Sequence, residues 1–276
     1  YSGNFTGGSI LYVSSMSKKT LSDLARRRIL DEMLTIPKTD DLENGGENAA
    51  TSVFVLDSHT LKIVSSVCKR SELSEKGAMF IEQIEKPRQP FPDLDVIYFL
   101  TPSSANLLLA DHRGLEIPYR FCRVYFTSGL EGNIFSQLTS CAEFVSRCRN
   151  LVEFHLDFVC FEPDVFHCDS PFALCEFEKS EILDPHIDSL VSVFASLGER
   201  PVIRYHEQSV VSQRIALGLR RKMDALSVKP SGTTVLIVDR SVETGGLFVH
   251  DFFYQALVLD ILDGILVAKS DFEIKL

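Results

Sequence analysis

Histidine, cysteine and acidic side chains come first, because a metal ion, a general base or a nucleophile needs them at fixed spacings. His206-Glu207 opens like the helix of a zinc protease, in which two histidines four residues apart share one face, but no second histidine follows and the metal face cannot form. His250-Asp251 is an adjacent pair of the kind metal phosphohydrolases use, yet one dipeptide fills no coordination sphere. Asp93-Leu94-Asp95 has the spacing with which sugar transferases hold a divalent ion, but it stands before a strand-like run, where carboxylates commonly mark a solvated loop. Cys160, Cys168 and Cys175 with His155 and His167 offer zinc donors whose spacings match no familiar finger, so packed thiols are the simpler expectation. No GxGxxG or Walker A sequence follows a strand pattern, and there is no GxSxG elbow. The basic runs Arg26-Arg27-Arg28 and Arg220-Arg221-Lys222 read as solvated helix faces. The expectation is a protein with no catalytic residue, no metal and no cofactor.

Composition narrows the partners. Against 28 Lys and Arg stand 38 Asp and Glu, a net charge of -10, which is the wrong sign for a general phosphate-backbone binder and argues against nucleic acid. With 45% hydrophobic and 24% charged residues over 276 positions, a packed core of about one to two domains is expected. Seven cysteines, an odd number without a CxxC pair, favour a reducing, cytosolic compartment. No apolar run approaches the roughly 18 residues of a membrane helix; the most apolar stretch, Ala256 to Leu262, is broken by Asp260. Tyr1 to Gly8 lacks an initiator Met and reads as a processed end or the middle of a longer chain rather than a signal peptide, and the sequon Asn4-Phe5-Thr6 matters only in a secreted protein.

The elements that must position any site alternate between helical and strand patterns. Thr20 to Leu34 is an amphipathic helix stopped by Pro37, and Asp40 to Ala50 a polar loop. Ser52 to Leu56 and Lys62 to Val67 read as short β-branched strands around Asp57-Ser58-His59, and Leu94 to Leu100 as a strand buried on both faces. A helix from about Ser103 to Asp111, strands at Phe121 to Thr127 and Leu156 to Phe161, and helices near Asn133 to Leu138 and Ala142 to Cys148 follow. Asp184 before Pro185 suggests an N-cap, and Gly198 the end of that helix. Pro201 to Tyr205 and Thr234 to Asp239 are strands around a helix with Val211, Ile215, Leu219 and Met223 on one face, and His250 to Leu262 is a last amphipathic segment. The pattern predicts an α/β fold of mainly parallel open sheets flanked by helices, with a boundary between residues 150 and 165.

Four stretches together resemble one family, the syntaxin-binding Sec-one/Munc-eighteen (SM) proteins of vesicle trafficking. Val53 to Glu82 (VFVLDSHTLKIVSSVCKRSELSEKGAMFIE) is similar to an early strand, Asp turn and S-L-x-x-x-G-x-x-x-x-E segment, and Pro90 to Asn106 (PFPDLDVIYFLTPSSAN) to a PxPxLxAIYxxxPTxEN block. Pro201 to Tyr205 (PVIRY) is the third. Val235 to Asp263 (VLIVDRSVETGGLFVHDFFYQALVLDILD) is similar to LIxxDRxxDxxxPLxHxxTYQAxxxDLL in order and spacing. Glu243-Thr244-Gly245-Gly246 and Phe252-Phe253-Tyr254 depart from that signature. The family's chains are about twice as long, so the resemblance implies SM domain one over 1-150, the first part of domain two over 151-240 and the opening of domain three over 241-276. Phe194 to Arg204 and Tyr254 to Asp263 look closest to the Sly-one branch of endoplasmic reticulum to Golgi traffic, with the plasma-membrane branch a near second.

The resemblance implies a non-enzymatic protein that binds a syntaxin-type SNARE, controls SNARE complex assembly, and associates peripherally with Golgi, endoplasmic reticulum or plasma membrane through SNAREs alone. By matching position, the syntaxin N-peptide pocket is Phe135, Cys148, Leu151 and Glu153, with Leu138 as their neighbour; the cleft for the syntaxin helical region uses Asp57, Lys62, Lys69 and Glu82. Lys62 stands where relatives carry Arg and loses the bidentate fork. An α/β enzyme of unrecognised type, with polar side chains converging at strand C-termini by a deep pocket, and a trafficking scaffold without SNARE binding are the alternatives.

Overall fold

The computed structural model describes residues 10–12, 20–35, 51–113, 119–169, 180–226 and 228–239, with isolated positions at 245, 249, 252–254, 257, 266–267 and 272–273. Along the chain these form β1 (Ile10–Tyr12), α1 (Leu21–Arg27) running into a π-helical turn (Arg28–Met33), β2 (Ser52–Leu56), α2 (Ser58–Val67), α3 (Arg70–Glu75), β3 (Ala78–Gln83) and β4 (Asp95–Leu100). There follow α4 (Ala105–Arg113), β5 (Cys122–Phe126), α5 (Gly132–Ser140), α6 (Ala142–Arg147), β6 (Cys148–Glu153), β7 (Val159–Glu162) and β8 (Val165–His167). The rest is α7 (Ser180–Leu197), β9 (Arg200–Tyr205), α8 (Val210–Ala225), β10 (Pro230–Ile237), β11 (Leu266–Val267) and β12 (Phe272–Glu273).

β2 to β6 form one sheet in the order β3-β2-β4-β5-β6, every neighbouring pair parallel, as the alternation predicts. β2 is buried at all its positions and β4 from Val96 onward, which is why both read as unbroken apolar runs. Successive side chains point to opposite faces. Phe54, Leu56, Ile97 and Phe99 pack with α1, α2, α7 and α8, while Val53, Val55, Val96, Tyr98 and Leu100 pack with α4, α5 and α6. The first of these clusters extends to Leu219 and Met223 of α8 and takes in Ile203 and Val235 of the parallel β9-β10 pair, so residues on both sides of position 150 share one core. β1, β8 and β7 make a small antiparallel sheet beside it.

Three expectations need correction. Lys62 to Val67 is the second half of helix α2, not a strand: Asp57 caps the helix by accepting from the backbone N–H groups of His59 and Thr60, and Ile63, Val64 and Val67 then fall on one buried helical face. Between Leu156 and Phe161 only the end is strand, and β6, which the sequence reading left out, lies just before it. Helix α7 holds Pro185 inside it, so Asp184 is not its cap; the proline sits near the helix start, where it removes a single backbone bond. Gly198 does end α7, at φ +66, a left-handed position that disfavours any side chain. Pro37, the loop from Asp40 to Ala50, and most of His250 to Leu262 lie outside the described residues.

Candidate functional site

Among the described residues β6 is an edge strand of the main sheet, and α6 feeds directly into it. Its register against β5 slips once: Cys148 pairs with Cys122, but Asn150 pairs with Arg123, leaving Arg149 as a bulge. From there Leu151 pairs with Val124 and Glu153 with Phe126. The bulge therefore puts Cys148, Leu151 and Glu153 on the same face, although the first two are three residues apart. Cys148 and Leu151 are half-buried against the cluster containing Val124 and Phe144, and Glu153 is exposed. A Glu153 carboxylate oxygen accepts the backbone N–H of Leu130 at 2.8 Å and so anchors the approach to α5.

Helix α5 turns Ile134 and Leu138 inward and leaves Phe135 half exposed, at 50%. Of the five positions the resemblance assigns to a peptide pocket, three thus line one face of β6 and a fourth, Phe135, stands out from a helix on that same side of the sheet. Leu138 is fully buried and supports α5 from below.

The four positions assigned to the cleft are not gathered in one place. Asp57 and Thr101 end β2 and β4, where the strand order reverses, the crevice in which open α/β sheets commonly bind ligands. Here protein fills it. Besides capping α2, Asp57 accepts the Thr101 N–H at 2.6 Å, the Thr101 hydroxyl at 2.8 Å and the Ser104 hydroxyl at 2.9 Å, and it is only 2% exposed. Burial pushes its carboxyl up, but the backbone donors of Thr101 and Thr60 outweigh that and hold it below the usual range. Lys62 is exposed and pairs with Asp169 at 2.7 Å. Lys69 is exposed at the other end of α2, where its backbone N–H is taken by Glu72. Glu82 pairs in register with Val55, whose side chain lies on the sheet face opposite α2, and its carboxylate accepts the Tyr119 hydroxyl at 3.4 Å.

Two polar anchors were not singled out from sequence. His59 holds Asp157 at 2.7 Å through Nε2 and Asp169 at 3.4 Å through Nδ1, fastening α2 to the segments flanking β7 and β8. Burial alone would lower its pKa, but the two carboxylates raise it to about 10, so the ring is an imidazolium donating at both nitrogens. Its only sequence signal is the three-residue spacing to Lys62, which puts both on one side of α2. Arg28, expected on a solvated face, instead donates to the carbonyls of Phe154 and His155 and to the Ser196 hydroxyl, with its guanidinium 4.3 Å from the Phe154 ring centre. The π-helical turn that begins at Arg28 carries this contact, and His155 sits at a positive φ of 49 just beyond β6. Among the described residues no three His, Cys, Asp or Glu side chains are grouped to hold a metal ion, and no helix is long and apolar enough to cross a membrane.

The chain matches the Sec1 family over residues 52–274. It is 33% identical over 261 residues to the protein transport protein sec1 of Dictyostelium discoideum, covering 88% of this chain and 42% of that one. Among solved structures it is similar to the SM protein Vps45 in complex with the Qa SNARE Tlg2, at TM-score 0.75 and 21% identity over 88% of this chain and 43% of that one. It is also similar to Sly1p in complex with an N-terminal peptide of Sed5p, at TM-score 0.70 and 21% identity over 89% of this chain and 45% of that one. The chain spans less than half the length of each of these proteins. The match across most of the sequence, on a parallel sheet ordered and flanked as described, establishes that the chain belongs to the Sec1 family.

Proposed function

We propose that this chain binds a syntaxin-type SNARE and controls SNARE complex assembly in vesicle docking and fusion, without enzymatic chemistry. The observation that carries the reading is the face of β6: an edge strand with Cys148 and Leu151 half-buried, Glu153 beside them and Phe135 exposed nearby, a shape suited to one apolar anchor of an extended peptide with a basic neighbour. Family membership supports it, as does the Sed5p N-terminal peptide in the complex with Sly1p. Residues 1-150 act as the syntaxin-binding unit, 151-240 as the first part of a second and 241-276 as the opening of a third. The longer syntaxin helices contact the α2 side, where Lys62 and Lys69 are exposed and Asp57 holds the α2 start in place. The trafficking step is endoplasmic reticulum to Golgi, and the protein reaches those membranes from the cytoplasm through its SNARE.

A pull-down with immobilised cytosolic domains of several syntaxin-type SNAREs, Sed5p among them, tests this. Retention by at least one supports the reading, and preference for an endoplasmic reticulum to Golgi SNARE supports the trafficking step. A folded protein retained by none contradicts it.

A further inference from the structure

Cys122 of β5 and Cys148 of β6 are directly paired in the parallel register, with both side chains on the face that carries Leu151. Paired Cα atoms on strands about 4.8 Å apart fall inside the window of roughly 4.4 to 6.8 Å over which disulfides form. The two thiols are close enough to perturb one another's ionisation, and the Cys148 thiol donates to the Asn150 carbonyl oxygen at 3.4 Å. Cys122 is buried, whereas Cys148 is half-buried and reachable from the edge of the sheet.

We propose that Cys122 and Cys148 are a redox dithiol: hydrogen peroxide oxidises them to a disulfide, glutathione returns them to thiols, and the disulfide state weakens peptide binding at the β6 face. The gating half rests on the function proposed above, while the disulfide itself does not. In the oxidation, the Cys148 thiolate attacks one peroxide oxygen, the O–O bond breaks, and the departing hydroxide takes a proton to become water, leaving a sulfenic acid. The Cys122 sulfur then attacks the Cys148 sulfur, the S–O bond breaks, and the hydroxyl leaves with the Cys122 proton as a second water. Two thiols lose two electrons and one peroxide gains them. In the return, two glutathione thiols supply two protons and two electrons and leave as glutathione disulfide.

The direction of attack follows from the surroundings. The neighbouring Cys122 thiol lowers the Cys148 pKa against the opposing effect of burial, while Cys148 and burial raise Cys122 well above an ordinary thiol. Cys148, the more exposed of the two, is therefore the attacking thiolate and Cys122 the resolving thiol.

Gating follows from geometry. Disulfide Cβ atoms lie about 3.8 Å apart, about 1 Å closer than the strand spacing, so the two Cα–Cβ bonds must converge and the backbones twist relative to one another. β5 is held between two neighbours and, among the described residues, β6 is not, so β6 moves. The shift is centred on Cys148, where α6 enters the strand three residues before Leu151, and α6 carries it to α5 and Phe135 because the two helices meet at Cys141.

The experiment treats the whole chain with equimolar hydrogen peroxide, blocks remaining thiols, and maps fragments after cleavage at glutamate. Cleavage at Arg120, Arg123, Arg147 and Arg149 would give pieces too short to follow. The expected result is a linked pair of fragments 117–131 and 144–153 that dithiothreitol separates. A labelled peptide with the N-terminal sequence of Sed5p should bind the oxidised protein at least fivefold more weakly than the reduced one, with recovery on reduction. Cys122→Ala should bind like reduced wild type and show no loss on peroxide treatment. A map without the Cys122 to Cys148 link overturns the dithiol whether or not peptide binds and whether or not the variant folds. A link with unchanged affinity overturns the gate alone. If reduced protein binds no such peptide while the link forms, the pocket reading and the gate both fall and the dithiol stands.

Discussion

Asp57 Oδ2 accepts the backbone N–H of Thr101 at 2.6 Å, tying the C-terminal end of β2 to that of β4 across the point where strand order reverses. The same carboxylate starts α2. Asp57→Ala removes the cap and strands the half-buried donors of Thr101 and the buried hydroxyl of Ser104, so it should cost about 3 kcal/mol. Urea unfolding followed by circular dichroism measures this; a variant within 1 kcal/mol of wild type, about a fivefold change in the folding equilibrium, would show that the network is not structural.

The imidazolium of His59 gives a pH signature at the alkaline side. Its pKa is raised in the folded state, so its contribution is complete below about 6.5, the unfolded value, and is lost as pH rises toward the folded value of about 10. Wild-type stability should therefore decline over that window. His59→Ala should cost about 2 kcal/mol near pH 6 and should lack the decline, as thermal unfolding from pH 6 to 10 would reveal. Parallel curves for the two proteins would contradict the assignment.

At the acid side His112 acts in the opposite sense. It is 2% exposed, with its ring 6.0 Å from Tyr98 and 5.3 Å from Phe144 and, among the described residues, no hydrogen-bond partner for either nitrogen, and burial together with the Arg147 charge lowers its pKa to about 4. Between pH 6.5 and 4 the unfolded chain binds the proton and the folded one does not, so stability falls as pH drops through that range. His112→Phe removes both unpartnered nitrogens while keeping a ring between Tyr98 and Phe144. It should raise stability at pH 5 and flatten this part of the profile; an unchanged acid limb would show that His112 does not titrate as described.

The sheet was legible where burial acts on both faces, because VFVL and VIYFL in β2 and β4 have no polar position to confuse their reading. α2 was not, since Ile63, Val64 and Val67 satisfy both a β-branched run and a helical face, and the deciding feature is Asp57 capping the backbone in front of them. β6 escaped because its bulge at Arg149 breaks the two-residue alternation that marks a strand. The same bulge brings Cys148 into line with Leu151, a relation no spacing rule supplies. Leu138 was added to the pocket as a neighbour of the matching positions, yet its four-residue spacing from Ile134 already marks the inward stripe of α5, and Phe135 lies off it. Glu82 and Lys62 share a motif but not a face of the sheet, because strand register, not sequence distance, decides the side.

The most direct measurement is fluorescence polarisation with a labelled syntaxin-type N-peptide on wild type and Leu151→Arg, with circular dichroism on both. A buried apolar anchor contributes about 1.5 to 3 kcal/mol, so placing a charge against it should weaken binding at least about tenfold while the half-buried edge position leaves the fold intact. Lys62→Glu, on the opposite side of the sheet, should keep the peptide affinity of wild type and lose affinity for the longer syntaxin helices. Tight peptide binding by a folded Leu151→Arg would contradict the account.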